Sequence, residues 1–568
     1  MKKTWLLIAC CMQSMAALAN PDQLNINAPN REGVSRNKMD SFNVESQGMI
    51  INNSQNTTDT KLGGRIKGNP ALARGNEASV IINEVSGKNP SRLEGMIEVA
   101  GRRADVIIAN PMGITCSGCG FINAQRGVFT TGQVMMENGR LKGFDVEKGE
   151  VSFQGEGLLG RGARYTDILA RSVRINADIK SNQIRLVTGR NTIENRDSEQ
   201  MVVNAKSGSD SNIPRFALDV TALGGMYANK ISLVGTEKGV GVRNAGELSA
   251  GAGGVSLRSD GRIHNMTTIN GQAFVTLTSQ GEIDNKGKIQ SAEGYVTATS
   301  SNWVNTGSVT GKTQVSITSK GVVDNPSGVI QGENVMLNAA KDITNGGTLA
   351  AKGGTMTLSA QGRIDNTRSL TSKKHMSLTG AKVENQKLIS SEDSLSITSK
   401  GSVKNKGMIQ SGGHLSLASD GFQNKGSAKS QAAMSINTKG VLINTGSLIS
   451  QRSIKTTFAK GSNNAGVINA HEDIVLLSPQ KVSNKGAVKG GGRINGESKG
   501  RFDNINGRIH AKGDLTLNTG GGVLTNSCSA NTKGCGIYSD RNISIVAGKV
   551  NVKGQPKKMI AGKRIRIR

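Results

Sequence analysis

The chain has 568 residues, with 74 Gly, 9 Pro, 6 Cys and 3% aromatic residues, and its 71 Lys and Arg against 42 Asp and Glu give a formal charge of +29. Scarce Pro without a three-residue Gly period excludes a collagen, the supply of β-branched residues argues against disorder, and so few rings argue against one thick globular core. A long, thin fold packed with Val, Ile, Leu and Ala fits, with a basic surface that is either simply solvated or meets anionic partners.

Residues 1–19 read as an export signal. Lys2 and Lys3 form a positive start, Trp5 to Met12 a short apolar run, and Ala17-Leu18-Ala19 a cleavage site before Asn20. The run is too short to span a bilayer. Without Lys2 and Lys3 the mature chain keeps 69 basic and 42 acidic residues, or +27. Cys116, Cys119, Cys528 and Cys535 remain. An even number after export suggests two disulfides, each local in sequence.

Residues 20–240 carry strand patterns with an irregular period. Gly33-Val-Ser-Arg-Asn37 leads to Phe42-Asn-Val-Glu-Ser-Gln-Gly-Met-Ile-Ile-Asn-Asn-Ser54. Asn69-Pro70-Ala71-Leu72, Ala78-Ser-Val-Ile-Ile-Asn-Glu-Val85 and Gly95-Met-Ile-Glu-Val-Ala-Gly101 follow. Ala104-Asp-Val-Ile-Ile-Ala-Asn110-Pro111-Met112-Gly113 then reaches Cys116-Ser-Gly-Cys119, Gly120-Phe-Ile-Asn123 and Thr130-Thr-Gly132. This order resembles the haemagglutination-activity region of two-partner secretion exoproteins: filamentous haemagglutinins, secreted haemolysins and contact-dependent inhibition proteins. The family's landmark tetrapeptides are Asn-Pro-Asn-Leu and Asn-Pro-Asn-Gly; here the third residue of each is replaced. The resemblance implies that Asn69, Pro70, Leu72, Asn110, Pro111 and Gly113 form turns used in transporter recognition. It also likens the Cys116–Cys119 pair to that of the secreted haemolysins.

From 241 to 526 the chain repeats. Asn244, Asn265, Asn285, Asn305, Asn325, Asn345, Asn366, Asn385, Asn405, Asn424, Asn444, Asn464, Asn484, Asn504 and Asn526 each close a short segment, mostly apolar, at intervals of 19 to 22 residues. Such a period means a solenoid. Within it, Gly281-Glu-Ile-Asp-Asn285, Lys-Gly-Lys-Ile-Gln290 and Tyr295-Val-Thr-Ala-Thr299 alternate apolar and polar residues, so three short strands close each coil. The expected fold is all-β: a right-handed parallel β-helix with about 20 residues per coil and a rise near 4.8 Å. The Asn anchors are expected to sit in left-handed corners and to hydrogen-bond from coil to coil.

Residues 527–568 hold the local pair Cys528–Cys535 and end in Arg564-Ile565-Arg566-Ile567-Arg568, whose alternation reads as a strand. A redox role for Cys116 and Cys119 would want a helix after the first Cys, whereas Gly120-Phe-Ile-Asn123 reads as a strand. Zinc would need two more ligands. His264, His375, His414, His471 and His510 are scattered. Val383-Glu-Asn385-Gln386 reads as a repeat anchor rather than as a junction before a toxin, and only 42 residues follow Asn526. The expectation is therefore no enzyme, no cofactor, no metal and no specific nucleic acid, since aromatic platforms are missing. By the resemblance, the chain is a secreted or surface passenger that travels via the periplasm. Its partners would be a cognate outer-membrane β-barrel transporter with periplasmic docking domains, and anionic host glycans or cell surfaces. It would act as a monomeric rod-shaped adhesin or haemagglutinin; the alternative is a secreted haemolysin or cytolysin, or a truncated carrier of a contact-dependent inhibition toxin.

Overall fold

A computed structural model describes residues 20–568 except 73–74, 161, 196–199, 208–211, 530 and 555–558. The export signal expected at 1–19 lies outside the described residues. Apart from one 3-10 turn, Pro70–Leu72, every described regular element is a strand, and nearly all strand pairs are parallel. The fold is the all-β parallel β-helix expected from the repeats. The chain divides into two units at residues 209 and 210.

In the second unit each coil contributes one strand to each of three faces, as in Ile283–Asn285 (first face), Lys288–Ser291 (second) and Tyr295–Ser300 (third). Alternation of side chains along a strand sends every second residue inward. Val275, Leu277, Ile283 and Ile289 are all fully buried. Burying such a side chain is worth about 1.5–3 kcal/mol, and three or four per coil hold the stack closed. In-register pairing sets like on like: Ile263 on Ile283, Ile269 on Ile289. The terminal Arg564–Ile567 is a strand in this series, paired with Asn542–Val546.

The corner after the first face is tight, and at nine of the fifteen anchors Gly follows Asn by two residues. A Cβ on Gly446 would sit 1.9 Å from the Gly426 carbonyl oxygen, so a side chain is excluded by the neighbouring coil. The anchors themselves differ from expectation. None of the fifteen has a positive φ; the described left-handed Asn are Asn123, Asn138 and Asn506. Each anchor faces inward at the end of a first-face strand, or one residue before it for Asn504 and Asn526, and keeps extended backbone, so its value lies in its amide. Serine rows, which the sequence reading did not single out, serve the other two corners. Ser279 donates to the Gly261 carbonyl at 2.7 Å, and Ser450 to the Ala432 carbonyl at 2.6 Å.

The first unit also has three parallel faces, with fewer coils and less regular ones. Its third face runs from Val34–Met39 through Val80–Val85, Ala104–Ala109, Ala124–Thr130 and Tyr165–Ala170 to Gln183–Thr188. A separate antiparallel sheet of Gln133–Glu137, Arg140–Val146, Asn191–Asn195 and Met201–Ala205 belongs to this unit. Its Phe144, Val146 and Ile193 pack with Ile82, Ile107, Val128 and Leu169 of the third face in one buried cluster. Rings add to this unit's core: Phe129 lies 5.3 Å from Phe121 and 6.0 Å edge-on from Phe153.

Candidate functional site

The two Asn-Pro tetrapeptides fold alike although they lie at different corners. Asn69 is 1% exposed, and its Oδ1 accepts the backbone N–H of Ala71 at 3.0 Å. Its Nδ2 donates to the carbonyls of Ile26 at 2.8 Å and Asn52 at 3.1 Å. Asn110 is fully buried, and its Oδ1 accepts the N–H of Met112 at 2.9 Å. Its Nδ2 donates to the Asn89 carbonyl and to Ser91 Oγ, both at 3.0 Å. An Asn that bonds its own backbone two residues on is a turn-former, and here the amide also ties the turn to other strands. Pro70 opens the 3-10 turn that buries Leu72. Gly113 has φ 118, which favours Gly, and its N–H returns to the Asn110 carbonyl at 3.1 Å. The replaced third residues, Ala71 and Met112, are exposed, and their N–H groups make the turn bonds. Departure from the family tetrapeptides therefore leaves both turns intact.

The sequence reading missed a charge network on the outward side of the third face. Asp167 is fully buried and pairs with both Arg126 and Arg185; Arg185 approaches its Oδ1 at 2.6 Å. Arg126 also donates to Asn195 Oδ1 of the antiparallel sheet at 3.3 Å. Asp105 stands in register with Arg126. Burial pushes its carboxyl up to about 6, against the pull of Arg126. An open cavity of about 710 Å³ lies beside it, lined in part by Glu32, Asp105, Arg126, Arg140 and Lys142. The available signal was a charged residue inside an otherwise apolar strand, as in Tyr165-Thr-Asp-Ile-Leu-Ala170.

Both cysteine pairs are disulfide-bonded as read from the sequence, Cys116 to Cys119 and Cys528 to Cys535. Each bridges the corner leaving a first-face strand, Ile114–Cys116 in one unit and Val523–Ser527 in the other. Asn265, Asn285, Asn305, Asn325, Asn345, Asn405 and Asn444 belong to one ladder running from Asn244 to Asn526. In it each Nδ2 donates to the Oδ1 of the next anchor at 2.7–2.9 Å. Among the described residues no three His, Cys, Asp or Glu side chains group to hold a metal.

The TPS secretion domain family matches residues 19–265. The haemagglutinin repeat family matches overlapping stretches from 291 to 527. The chain is a two-partner secretion exoprotein. Its first part is 49% identical over 265 residues to Toxin CdiA of Yersinia pestis, covering 47% of this chain and 8% of that protein. The 16S rRNA endonuclease CdiA of Enterobacter cloacae is 44% identical over 242 residues, covering 42% of this chain and 7% of that protein. The tRNA nuclease CdiA of Yersinia mollaretii is 40% identical over 279 residues, 49% of this chain and 9% of that protein. The exoprotein thus spans less than a tenth of these relatives. A crystal structure of a filamentous hemagglutinin secretion domain is similar at 28% identity and a TM-score of 0.39, over 61% of this chain and 93% of that one. A TPS secretion domain followed by haemagglutinin repeats makes this chain an exoprotein that travels through the periplasm and is secreted or held at the cell surface.

Proposed function

We propose that residues 1–19 direct the chain to the periplasm and that the unit ending near residue 209 is then read by a cognate outer-membrane β-barrel transporter. The repeats fold outside and act as an adhesin or haemagglutinin. The observation that carries this reading is the order of parts, a secretion domain followed by haemagglutinin repeats in one chain. The Asn69 and Asn110 turns are buried struts, so their part in recognition is to hold the surface the transporter reads. Strand addition has partners of suitable form in Asp22–Asn25 and Val34–Met39, each with one described strand neighbour within its unit. A second reading is favoured by the names of the relatives: a stem of a contact-dependent inhibition protein, in which the repeats present a toxin. One strain set separates these readings from each other and from the haemolysin alternative. Cells expressing the chain with its transporter are assayed for red-cell agglutination, red-cell lysis and inhibition of neighbouring bacteria. Agglutination without lysis or inhibition supports the adhesin; lysis or growth inhibition alone overturns it.

A further inference from the structure

Charge is sorted by face in the later coils of the second unit. The first and second faces with their flanking corners comprise residues 400–411, 420–430, 439–450, 460–470, 481–490 and 499–511. These hold thirteen Lys or Arg against two acids, Asp420 and Asp503. Asp503 is buried and already held by Lys481 and Arg501. In the rest of residues 392–518, on the third face and its leading corner, six acids stand against four basic residues. Net charge is therefore about +11 on one flank and −2 on the other within the same coils.

The basic residues recur at fixed corners. Lys400, Lys439, Lys460 and Lys499 are exposed at the corner leading into the first face, and the backbone N–H groups of Lys439, Lys460 and Lys499 each donate to a carbonyl of the preceding coil. Lys425 is exposed at the corner leaving that face. At about 4.8 Å per coil the rows extend about 24 Å. Between them lie short strands, such as Leu442–Asn444 and Ser462–Asn464, which give a flat face with no ring to insert. Its exposed large apolar side chains are Val441 and Val467, each 39% exposed.

We propose that this flank docks the exported chain on a lipid surface bearing phosphate headgroups, flat array against flat array, through charge alone. The inference deepens the surface reading by naming the face and the ligand chemistry. Attraction to an anionic bilayer grows with each Lys near the surface and is screened by salt. A planar array suits a surface, and the scarcity of rings disfavours single-stranded nucleic acid.

The test compares two full-chain variants of equal net charge. One carries Lys400→Glu, Lys425→Glu, Lys439→Glu and Lys460→Glu; the other carries Arg452→Glu, Lys455→Glu, Arg493→Glu and Lys512→Glu. Both are checked for retained strand signal, with Lys→Gln and Arg→Gln versions as a second pair. Binding is measured to phosphatidylcholine vesicles with and without phosphatidylglycerol, and to heparin. The expected result is binding only with phosphatidylglycerol, weakened at least about a hundredfold by the first set and far less by the second. Equal losses would reduce the effect to net charge and overturn the proposal. Vesicle binding indifferent to the first set, with heparin binding dependent on it, would assign the face to a polysaccharide. Because red-cell agglutination is a separate assay, failure here and failure of the adhesin reading are distinguishable.

Discussion

Asn405 in the repeats receives a hydrogen bond from Asn385 and passes one to Asn424, both 2.8 Å. Its neighbours do the same, so the row is built from interchangeable parts. Asn69 and Asn110 in the first unit are as deeply buried, but each bonds its own set of partners, repeated at no other Asn among the described residues. The same side chain thus serves a periodic scaffold in one region and specified corners in the other. The difference extends to the cores: the second unit is mainly aliphatic rows interrupted by single buried rings such as Trp303 and Phe422, whereas the first interlocks Phe121, Phe129 and Phe153 and buries both Arg126 and Asp167 of an ion pair. Stability of a repeat array is roughly a sum of neighbour interactions. Damage should stay local in the second unit and spread in the first.

The largest test of this contrast is Asp167→Ala. It leaves Arg126 and Arg185 facing each other without their shared carboxylate. Breaking a buried pair in this way costs about 3–5 kcal/mol. Urea unfolding of the exported chain should show the first unit melting early while the repeats keep their own transition; a single unshifted transition would contradict the contrast.

Asp105→Asn should act in the opposite direction. The folded carboxyl titrates near 6 and the unfolded one near 3.8. Between these values the folded state holds more protons, so stability falls as pH rises through the window and the loss is complete above it. The shift corresponds to about 3 kcal/mol. The variant should therefore match the parent near pH 4 and exceed it at pH 7 in urea midpoint. A parent that is as stable at pH 7 as at pH 4, with no gain in the variant, would place Asp105 outside the network.

A third comparison sets Asn110→Ala against Asn405→Ala. Each strands buried polar partners, at about 2 kcal/mol. Asn110→Ala should also release the Pro111–Gly113 turn and lower export while synthesis is unchanged, as should Asn69→Ala. Asn405→Ala should leave export near the parental level, because two coils of ladder are lost from many. Full export of the Asn69 and Asn110 variants, measured as secreted against periplasmic protein, would remove these turns from the export mechanism.

Much of the second unit was legible because its information repeats. Fifteen anchors at 19 to 22 residues gave period, strand number and coil-to-coil bonding, and alternation gave the inward rows. The backbone state of the anchors was not legible: a strand-end Asn and a left-handed Asn look alike in sequence, and Gly two residues on fits both. The first unit was legible mainly through its resemblance and its Pro corners. Its antiparallel sheet follows a hairpin at Asn138-Gly139, where Asn138 has φ 50 and Gly139 φ 76, yet nothing local shows which face that sheet covers. The Asp167 network was hidden for the same reason. Its members are 41 and 18 residues apart and meet through strand register alone.

The smallest expected effect belongs to the disulfides, and it refines the comparison because both units place one at the same kind of corner. Cys116 and Cys119 are three residues apart and Cys528 and Cys535 seven apart. In the chain-entropy picture closing so short a loop is worth at most about 2 kcal/mol for the first pair and about 2.5 kcal/mol for the second. In most other coils two residues turn this corner, as Lys286-Gly287 do between Asn285 and Lys288. At the far end eight residues lie between Ser527 and Gly536, and the bridge closes that enlarged loop. Cys116→Ser with Cys119→Ser should therefore weaken the first unit by about 1 kcal/mol, and Cys528→Ser with Cys535→Ser should loosen only the last coils, seen as faster amide exchange there. On the proposed transporter route, loops this small should pass even when oxidised, so neither double variant should change export. A cysteine pair engineered to tie two distant coils should instead arrest the chain in the periplasm until reductant is added. Normal export of that oxidised variant, or a native bridge between Cys119 and Cys528 found by mass spectrometry, would show that export places no such limit on where this chain can be cross-linked.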